Sequence, residues 1–174
     1  MPDLLEARPV ASEHAAYFSR YVDLVADGNI VGTLAAQLDR TLAHLKTISD
    51  EDSLKRYADG KWTLKELLQH IIDAERIFSY RALRFARKDP TPLPGFDENL
   101  FAANAKADER SWDKLVEELK VVRRSSELLF HSLDKEQLEA AGTSSNSPNY
   151  VLAIGYIIIG HAMHHQKIIR ERYL

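Results

Sequence analysis

The chain has 174 residues, of which 45% are hydrophobic and 28% charged, a balance typical of a single globular domain with its own core. A net charge of -3 gives no electrostatic basis for binding nucleic acid or an anionic membrane. Cysteine is absent, which excludes disulfides, thiolate metal ligands and a protein thiol nucleophile. The first ten residues, MPDLLEARPV, lack the basic and apolar regions of a signal peptide, so we expect a cytoplasmic protein.

The first half of the chain predicts three helices. Residues 12–25 form a short amphipathic stretch, and 30–48 carry leucines at helical spacing. The third helix is predicted over 63–88. It opens with a capping-box pattern, in which the Thr63 hydroxyl and the Glu66 carboxylate satisfy free backbone amides reciprocally.

The second half predicts two further long helices, over 111–133 and 148–172. A polar break at 142–147 separates them. Ser147 as N-cap and Pro148 at the first helical position favour a helix start there. No pair of segments has the pattern of a β-hairpin. The sequence therefore predicts an all-α fold, an antiparallel four-helix bundle with short additional helices.

Two histidines in the last predicted helix suggest a metal site. His161 and His165 are four residues apart, which places their Cβ atoms about 5–6 Å apart on one helix face. That face is otherwise apolar, so both imidazoles are expected to point into the bundle, where each needs a partner. The pair is typical of two-histidine metal motifs. It is equally compatible with two histidines at the edge of the core that bind carbonyls or waters.

A metal site needs a third ligand, and His70 is the candidate from spacing. It flanks the apolar face of the predicted helix 63–88, although a bond to Asp73 one turn later is an alternative role. The other histidines are weaker candidates. Nothing near His14 recommends it, and His44 is interpreted as exposed. His131 lies near the C-terminus of its helix, where an imidazole is favourable, and His164 is about 100° around the helix from His165, which directs it away from the pair.

Two blocks of the sequence form a recognisable pattern. The first lies between Gly60 and Phe101 and consists of Trp62, Thr63, Glu66, His70, Asp73, Glu75 and Arg76, followed by a Pro-Leu-Pro-Gly-Phe loop; the second is Gly160, His161 and His165. This pattern resembles the DinB-like family of small bacterial four-helix proteins. The resemblance covers most of the chain and implies one domain over 1–174, with 1–28 as a helical extension packed on the bundle.

In that family one histidine of the second long helix and two of the fourth bind a divalent metal, usually nickel or zinc. The resemblance assigns these roles to His70, His161 and His165. Similar proteins include thiol transferases that use bacillithiol, isomerases that use mycothiol, and proteins described as metal-dependent hydrolases. The resemblance therefore implies a small-molecule substrate, a low-molecular-weight thiol as a candidate cofactor, and pairing as a homodimer.

Three imidazoles leave at least one position of a metal ion open, which is typical of catalytic rather than structural sites. Asp73 is the candidate for orienting a ligand imidazole, because carboxylates often hydrogen-bond such rings. Glu75 and His164 are the candidate proton-transfer residues, and a surface ion pair is the alternative role of Glu75. No histidine follows a glutamate at ferritin spacing, and Ala162 replaces the zincin glutamate. A non-catalytic metal-binding or partner-binding module is the other interpretation.

Overall fold

The computed structural model describes residues 7–174 and confirms the predicted four-helix bundle. The long helices are α2 (Ile30–Leu45), α3 (Leu64–Ala86), α5 (Trp112–His131) and α7 (Val151–Ile168), the last extended by a π-helical turn, Ile169–Tyr173. The short helices are α1 (Ser19–Val22), α4 (Glu98–Asn104) and α6 (Lys135–Leu138), with 3-10 turns at Ala11–Glu13, Ala16–Phe18, Asp52–Leu54 and Ala107–Glu109. No helix within residues 7–174 is both long and apolar enough to cross a membrane.

The capping box predicted at the start of α3 is present. The Thr63 hydroxyl accepts from the Glu66 amide at 3.0 Å, and the Glu66 carboxylate accepts from the Thr63 amide at 2.7 Å. The same Glu66 oxygen also accepts from Arg56. Because both groups of the box are engaged, the first turn of α3 is fixed, and with it the position of His70 two turns later.

The bundle contains antiparallel and parallel neighbours. Helix α7 packs antiparallel to α3: Tyr173 at the end of α7 bonds to Trp62, just before α3. Helix α2 packs antiparallel to α5. Helices α3 and α5 are neighbours that run in parallel, since bonds join Gln69 to Arg110 and Ser79 to Ser126. The long connection 87–111, which contains α4, returns the chain to the end at which α3 began.

The helix predicted over 12–25 is wrong in extent. His14 and Ala15 have extended backbones, so the segment forms two 3-10 turns and only one turn of α-helix, α1. The segment nevertheless packs on the bundle, with Tyr21 buried against α7. Its backbone approaches so closely that a Cβ on Gly160 would lie 2.0 Å from the Tyr21 carbonyl oxygen. The beginning of the predicted extension, residues 1–6, lies outside the described residues.

The polar break before α7 is a β-hairpin, which corrects the predicted helix start at Ser147 and Pro148. Strand β1 (Ala141–Ser144) pairs antiparallel with β2 (Ser147–Tyr150). The two turn residues, Ser145 and Asn146, have φ of 51° and 61°, the left-handed pair that two-residue hairpins require. Helix α7 therefore begins only at Val151.

Candidate metal centre and its cleft

Three histidine side chains converge between α3 and α7. Nε2 of His161 lies 3.0 Å from Nε2 of His70 and 3.1 Å from Nε2 of His165. One ring nitrogen from each of the three lies within 4.8 Å of the other two. The structure thus brings together the three residues that the sequence singled out, two from one turn of α7 and one from the neighbouring helix.

All three imidazoles are held in the neutral form. Burial lowers the pKa of His70 to about 4 and that of His165 to about 2. Burial also lowers the pKa of His161 well below its usual range, and the neighbouring imidazoles add to this effect because a second positive charge would repel the first. A neutral imidazole presents the lone pair that a metal ion requires.

The two short separations, from His161 to His70 and from His161 to His165, fit ligands of one divalent ion. Ligands about 2.0–2.1 Å from a tetrahedral ion lie about 3.3 Å from each other, and those at adjacent octahedral positions about 2.9 Å. The observed separations of 3.0 and 3.1 Å lie in this interval. Nδ1 of His165, on the other side of its ring, is buried without a partner in the described residues.

Aromatic side chains fix the orientation of the rings of His70, His161 and His165, which are called the triad below. Trp62 packs on His70 with 4.9 Å between ring centroids. Tyr21 and Phe78 meet the His161 ring edge-on at 5.3 and 5.8 Å. These contacts surround the imidazoles with apolar surface, and this surface is the source of the desolvation that keeps them neutral.

The triad lies in the wall of an open cleft of about 440 Å³. Its other walls come from the N-terminal segment, α3, the 93–98 loop and the hairpin. Polar groups reach it from several elements: Arg20, Tyr21, Arg81, Glu98, Ser144, Ser145, Ser147 and His164. A cleft of this size accommodates a small molecule next to the triad.

Glu75, a candidate for proton transfer, is not at the cleft. Its carboxylate is buried and forms a two-bond ion pair with Arg123 of α5, at 2.8 and 2.9 Å. This position also corrects the alternative of a surface ion pair. The carboxylate is engaged inside the bundle and has no access to a substrate.

Asp73 does not orient a triad ring. It accepts a hydrogen bond from Gln69 at 2.9 Å and lies 3.7 Å from Arg76. In residues 7–174 no hydrogen bond joins Asp73 to His70, although one turn of helix separates them. Burial raises the pKa of Asp73, but its contacts belong to the α3–α5 side of the bundle.

His164 lines the cleft but is not one of the three converging rings. Its ring centroid lies 5.1 Å from that of His165 and 5.6 Å from that of Tyr21. Burial and the charge of Arg20 lower its pKa, so it is a neutral base beside the triad. His44, interpreted as exposed, is half-buried, and its Nε2 atom is enclosed without a partner in the described residues.

Sequence reasoning missed three groups of the cleft wall. Arg81 was not assigned to the site from the sequence, yet it is buried and lines the cleft. Arg20 and Tyr21 come from the N-terminal segment, whose position over α7 depends on tertiary packing. The small residue Gly160 beside His161 was the available signal, since a glycine inside an apolar helix often marks a close backbone approach.

One known protein resembles part of this sequence, and another resembles the fold of nearly the whole chain. A protein of Oceanobacillus iheyensis named “putative metal-dependent hydrolase” is 32% identical over 59 residues, which cover 33% of this chain and 34% of that relative. The matched stretch is thus about a third of the relative's length. YfiT from Bacillus subtilis, described as “a probable metal-dependent hydrolase with an unusual four-helix bundle topology”, has 14% identity and a TM-score of 0.66 over 95% of this chain and 93% of its own. The latter likeness establishes the four-helix-bundle fold.

The family is established by a longer match. The family model described as DinB superfamily matches residues 33–169, which include His70, His161 and His165 together with most of all four long helices. This range is more than three quarters of the chain. The chain therefore belongs to the DinB superfamily.

Proposed function

We propose that this protein is a divalent-metal-dependent enzyme that acts on a small molecule in the cleft. One observation carries the proposal: three neutral imidazole nitrogens converge at the wall of an open cleft rather than inside a sealed core. Three protein ligands leave a coordination position for substrate, whereas structural sites are usually closed by four. Imidazole donors suit nickel and zinc, the two ions that we propose.

In this proposal the residues around the cleft have separate roles. His70, His161 and His165 hold the ion, which when bound supplies a Lewis acid for an oxygen or sulfur atom of the substrate. Tyr21 and Trp62 cover the triad rings and restrict the access of water. The substrate then enters from the hairpin side, where the wall is polar.

Transfer of a low-molecular-weight thiol is the reaction that this site supports best. The thiol sulfur forms a bond to an electrophilic carbon, the leaving group departs with the electron pair of the broken bond, and the thiol proton passes to a ring nitrogen of His164 or to solvent. This reaction needs no strong protein base, because a thiol ionises near neutral pH when a cation is adjacent. The engagement of Glu75 and Asp73 elsewhere fits this requirement.

Hydrolysis is the second candidate, and one observation favours it. His164 is a neutral imidazole beside the triad and faces the same cleft, so it can accept the proton of an attacking water. The relative from Oceanobacillus iheyensis and YfiT are also described as hydrolases. His164 is then essential for hydrolysis but only accessory for thiol transfer.

The test compares His161→Ala with His164→Ala, two neighbouring histidines of which only the first belongs to the triad. Metal analysis should give about one ion per chain for the wild type and for His164→Ala, and almost none for His161→Ala. Circular dichroism should show the same helicity for all three proteins.

Turnover is then measured for a panel of thiols with a chlorodinitrobenzene acceptor, and for p-nitrophenyl esters, with and without the ion. Thiol transfer that is lost in His161→Ala and retained in His164→Ala supports transferase activity. Ester cleavage that is lost in both variants supports hydrolysis. If the metal-loaded wild type turns over neither the thiols nor the esters, the enzyme proposal is wrong and the protein is a metal-binding module.

A further inference from the structure

Arg81 is a buried cation of the cleft without a carboxylate partner. It is only 4% exposed, and its two hydrogen bonds both come from Nη2, to the Pro94 carbonyl at 2.9 Å and to the Ser145 hydroxyl at 3.1 Å. Within residues 7–174 no carboxylate lies at ion-pair distance, and Nε and Nη1 have no acceptor. A guanidinium has five N–H donors in a planar fork that matches an oxyanion, so most of its capacity is unused.

The charge of the cleft favours an anionic ligand. Arg20 is a second guanidinium of the wall, and its hydrogen bonds go to the neutral hydroxyls of Tyr17 and Tyr21. Glu98 is the one carboxylate among the residues that line the cleft, and it is exposed. The cleft therefore has an excess of positive charge before any metal ion adds two more. Such a concave, low-dielectric surface attracts anions.

Arg81 lies within reach of the triad. It follows His70 by eleven residues of α3, which is three helical turns, so both side chains leave the same face about 16 Å apart along the axis. Phe78 lies between them. The Arg81 guanidinium carbon is 6.0 Å from the Phe78 ring centroid, which is 5.8 Å from that of His161, so guanidinium and imidazole are at most about 12 Å apart.

We propose that Arg81 and the Ser145 hydroxyl form an oxyanion-binding subsite, and that the substrate carries a carboxylate or phosphate within about 12 Å of its reacting group. The Ser145 oxygen accepts from Arg81, so its own proton is free to be donated to the anion. The assignment of a reacting group to the triad rests on the proposed function, whereas the oxyanion subsite does not.

A purely structural role would make Arg81 a clamp between the 93–98 loop and the hairpin. Two neutral acceptors compensate a buried guanidinium incompletely, since burial of a charge is costly unless it is paired. Burial indeed lowers the pKa of Arg81, and no partner offsets this effect. A bound oxyanion supplies the missing counter-charge.

The experiment titrates metal-free protein with three probes: succinate, inorganic phosphate and the neutral succinamide. The readout is the Nε–Hε cross-peak of Arg81 in two-dimensional NMR, together with the dissociation constant from calorimetry. The cross-peak is assigned by its loss in Arg81→Lys. Succinate or phosphate should shift it, and succinamide should not.

Arg81→Met should weaken the binding of the anion at least about tenfold, the usual range for a lost charge-assisted hydrogen bond, and Arg81→Lys should weaken it less. The matched control is Arg84→Met, on the same helix one turn later. Arg84 is already engaged with Asp89 and Tyr80 outside the cleft, so its loss should leave anion binding unchanged. Melting temperatures of both Arg81 variants that equal that of the wild type would exclude loosening of the clamp.

The probes identify the source of the oxyanion: preference for succinate indicates a carboxylate ligand, and preference for phosphate a phosphorylated one. The inference is overturned if neither anion shifts the Arg81 signal, or if Arg81→Met binds both as the wild type does. His161→Ala should bind the anion normally. Anion binding without metal-dependent turnover refutes the proposed function alone, and turnover without anion binding refutes only the subsite.

Discussion

The ion pair between Glu75 and Arg123 joins α3 to α5 inside the bundle. Both side chains are at most 3% exposed. Two bonds join the guanidinium to the carboxylate, and the remaining Arg123 nitrogen donates to the Gln37 side chain and to the Leu34 carbonyl. Each of the three guanidinium nitrogens thus donates to a protein acceptor, in four hydrogen bonds, which gives the pair a structural role.

Replacing Glu75 by alanine leaves the Arg123 charge buried. Loss of one partner of a buried pair costs about 3–5 kcal/mol. We expect the lower end, about 3 kcal/mol, because Gln37 and the Leu34 carbonyl remain as acceptors. For a chain of this size each kcal/mol lowers the melting temperature by about 2–4 °C, so a decrease of about 6–12 °C should follow. Urea and thermal unfolding monitored by circular dichroism measure both quantities.

The double variant Glu75→Leu with Arg123→Met is the control. Both charges are then absent, and apolar side chains of similar volume fill the space, so most of the lost stability should return. Metal content should be unchanged in both proteins. A Glu75→Ala protein as stable as the wild type but inactive would refute this reasoning and restore a catalytic role to Glu75.

Two further substitutions test the packing around the site. Gly160→Ala should lower the free energy of unfolding in urea by about 1–3 kcal/mol and displace Tyr21, because the new Cβ would lie 2.0 Å from the Tyr21 carbonyl oxygen. The control is Gly32→Ala on α2, where the nearest atom to a new Cβ is 3.8 Å away, and it should be neutral or stabilising. Asp73→Asn should change metal affinity less than about twofold, as measured by competition with a chelator. A loss of 10–100-fold, usual for a carboxylate that orients a ligand, would mean that Asp73 does contact His70.

The helices and the pair on α7 were predictable because their signals are local. His161 and His165 share a face through helical spacing alone, and the capping box at Thr63 follows from four consecutive residues. His70 required more. Spacing left it open to a bond with Asp73, and the family resemblance selected it as the third ligand.

The remaining differences arise from tertiary contacts. Glu75 is five residues after His70, about 140° around the helix, which already directs it away from the triad face. The face of α3 that carries Glu75 meets Arg123 because α5 runs parallel to α3. No local sequence pattern predicts the relative direction of these two helices. The hairpin was not predicted because Ser145 and Asn146 are weaker turn signals than Asn-Gly. In addition, Ser147 and Pro148 have the sequence pattern of a helix N-terminus.

The separation of the triad along the chain has a consequence for biosynthesis. His70 precedes His161 by 91 residues, so at about 5–20 residues per second the ribosome releases the first candidate ligand roughly 5–18 s before the second. During that interval α5 can already pack against both α2 and α3, but the ring of helices stays open on the side that α7 later closes. Any ion held by all three imidazoles must therefore be acquired after translation of the last long helix, and α3 alone can offer it only one of the three ligands.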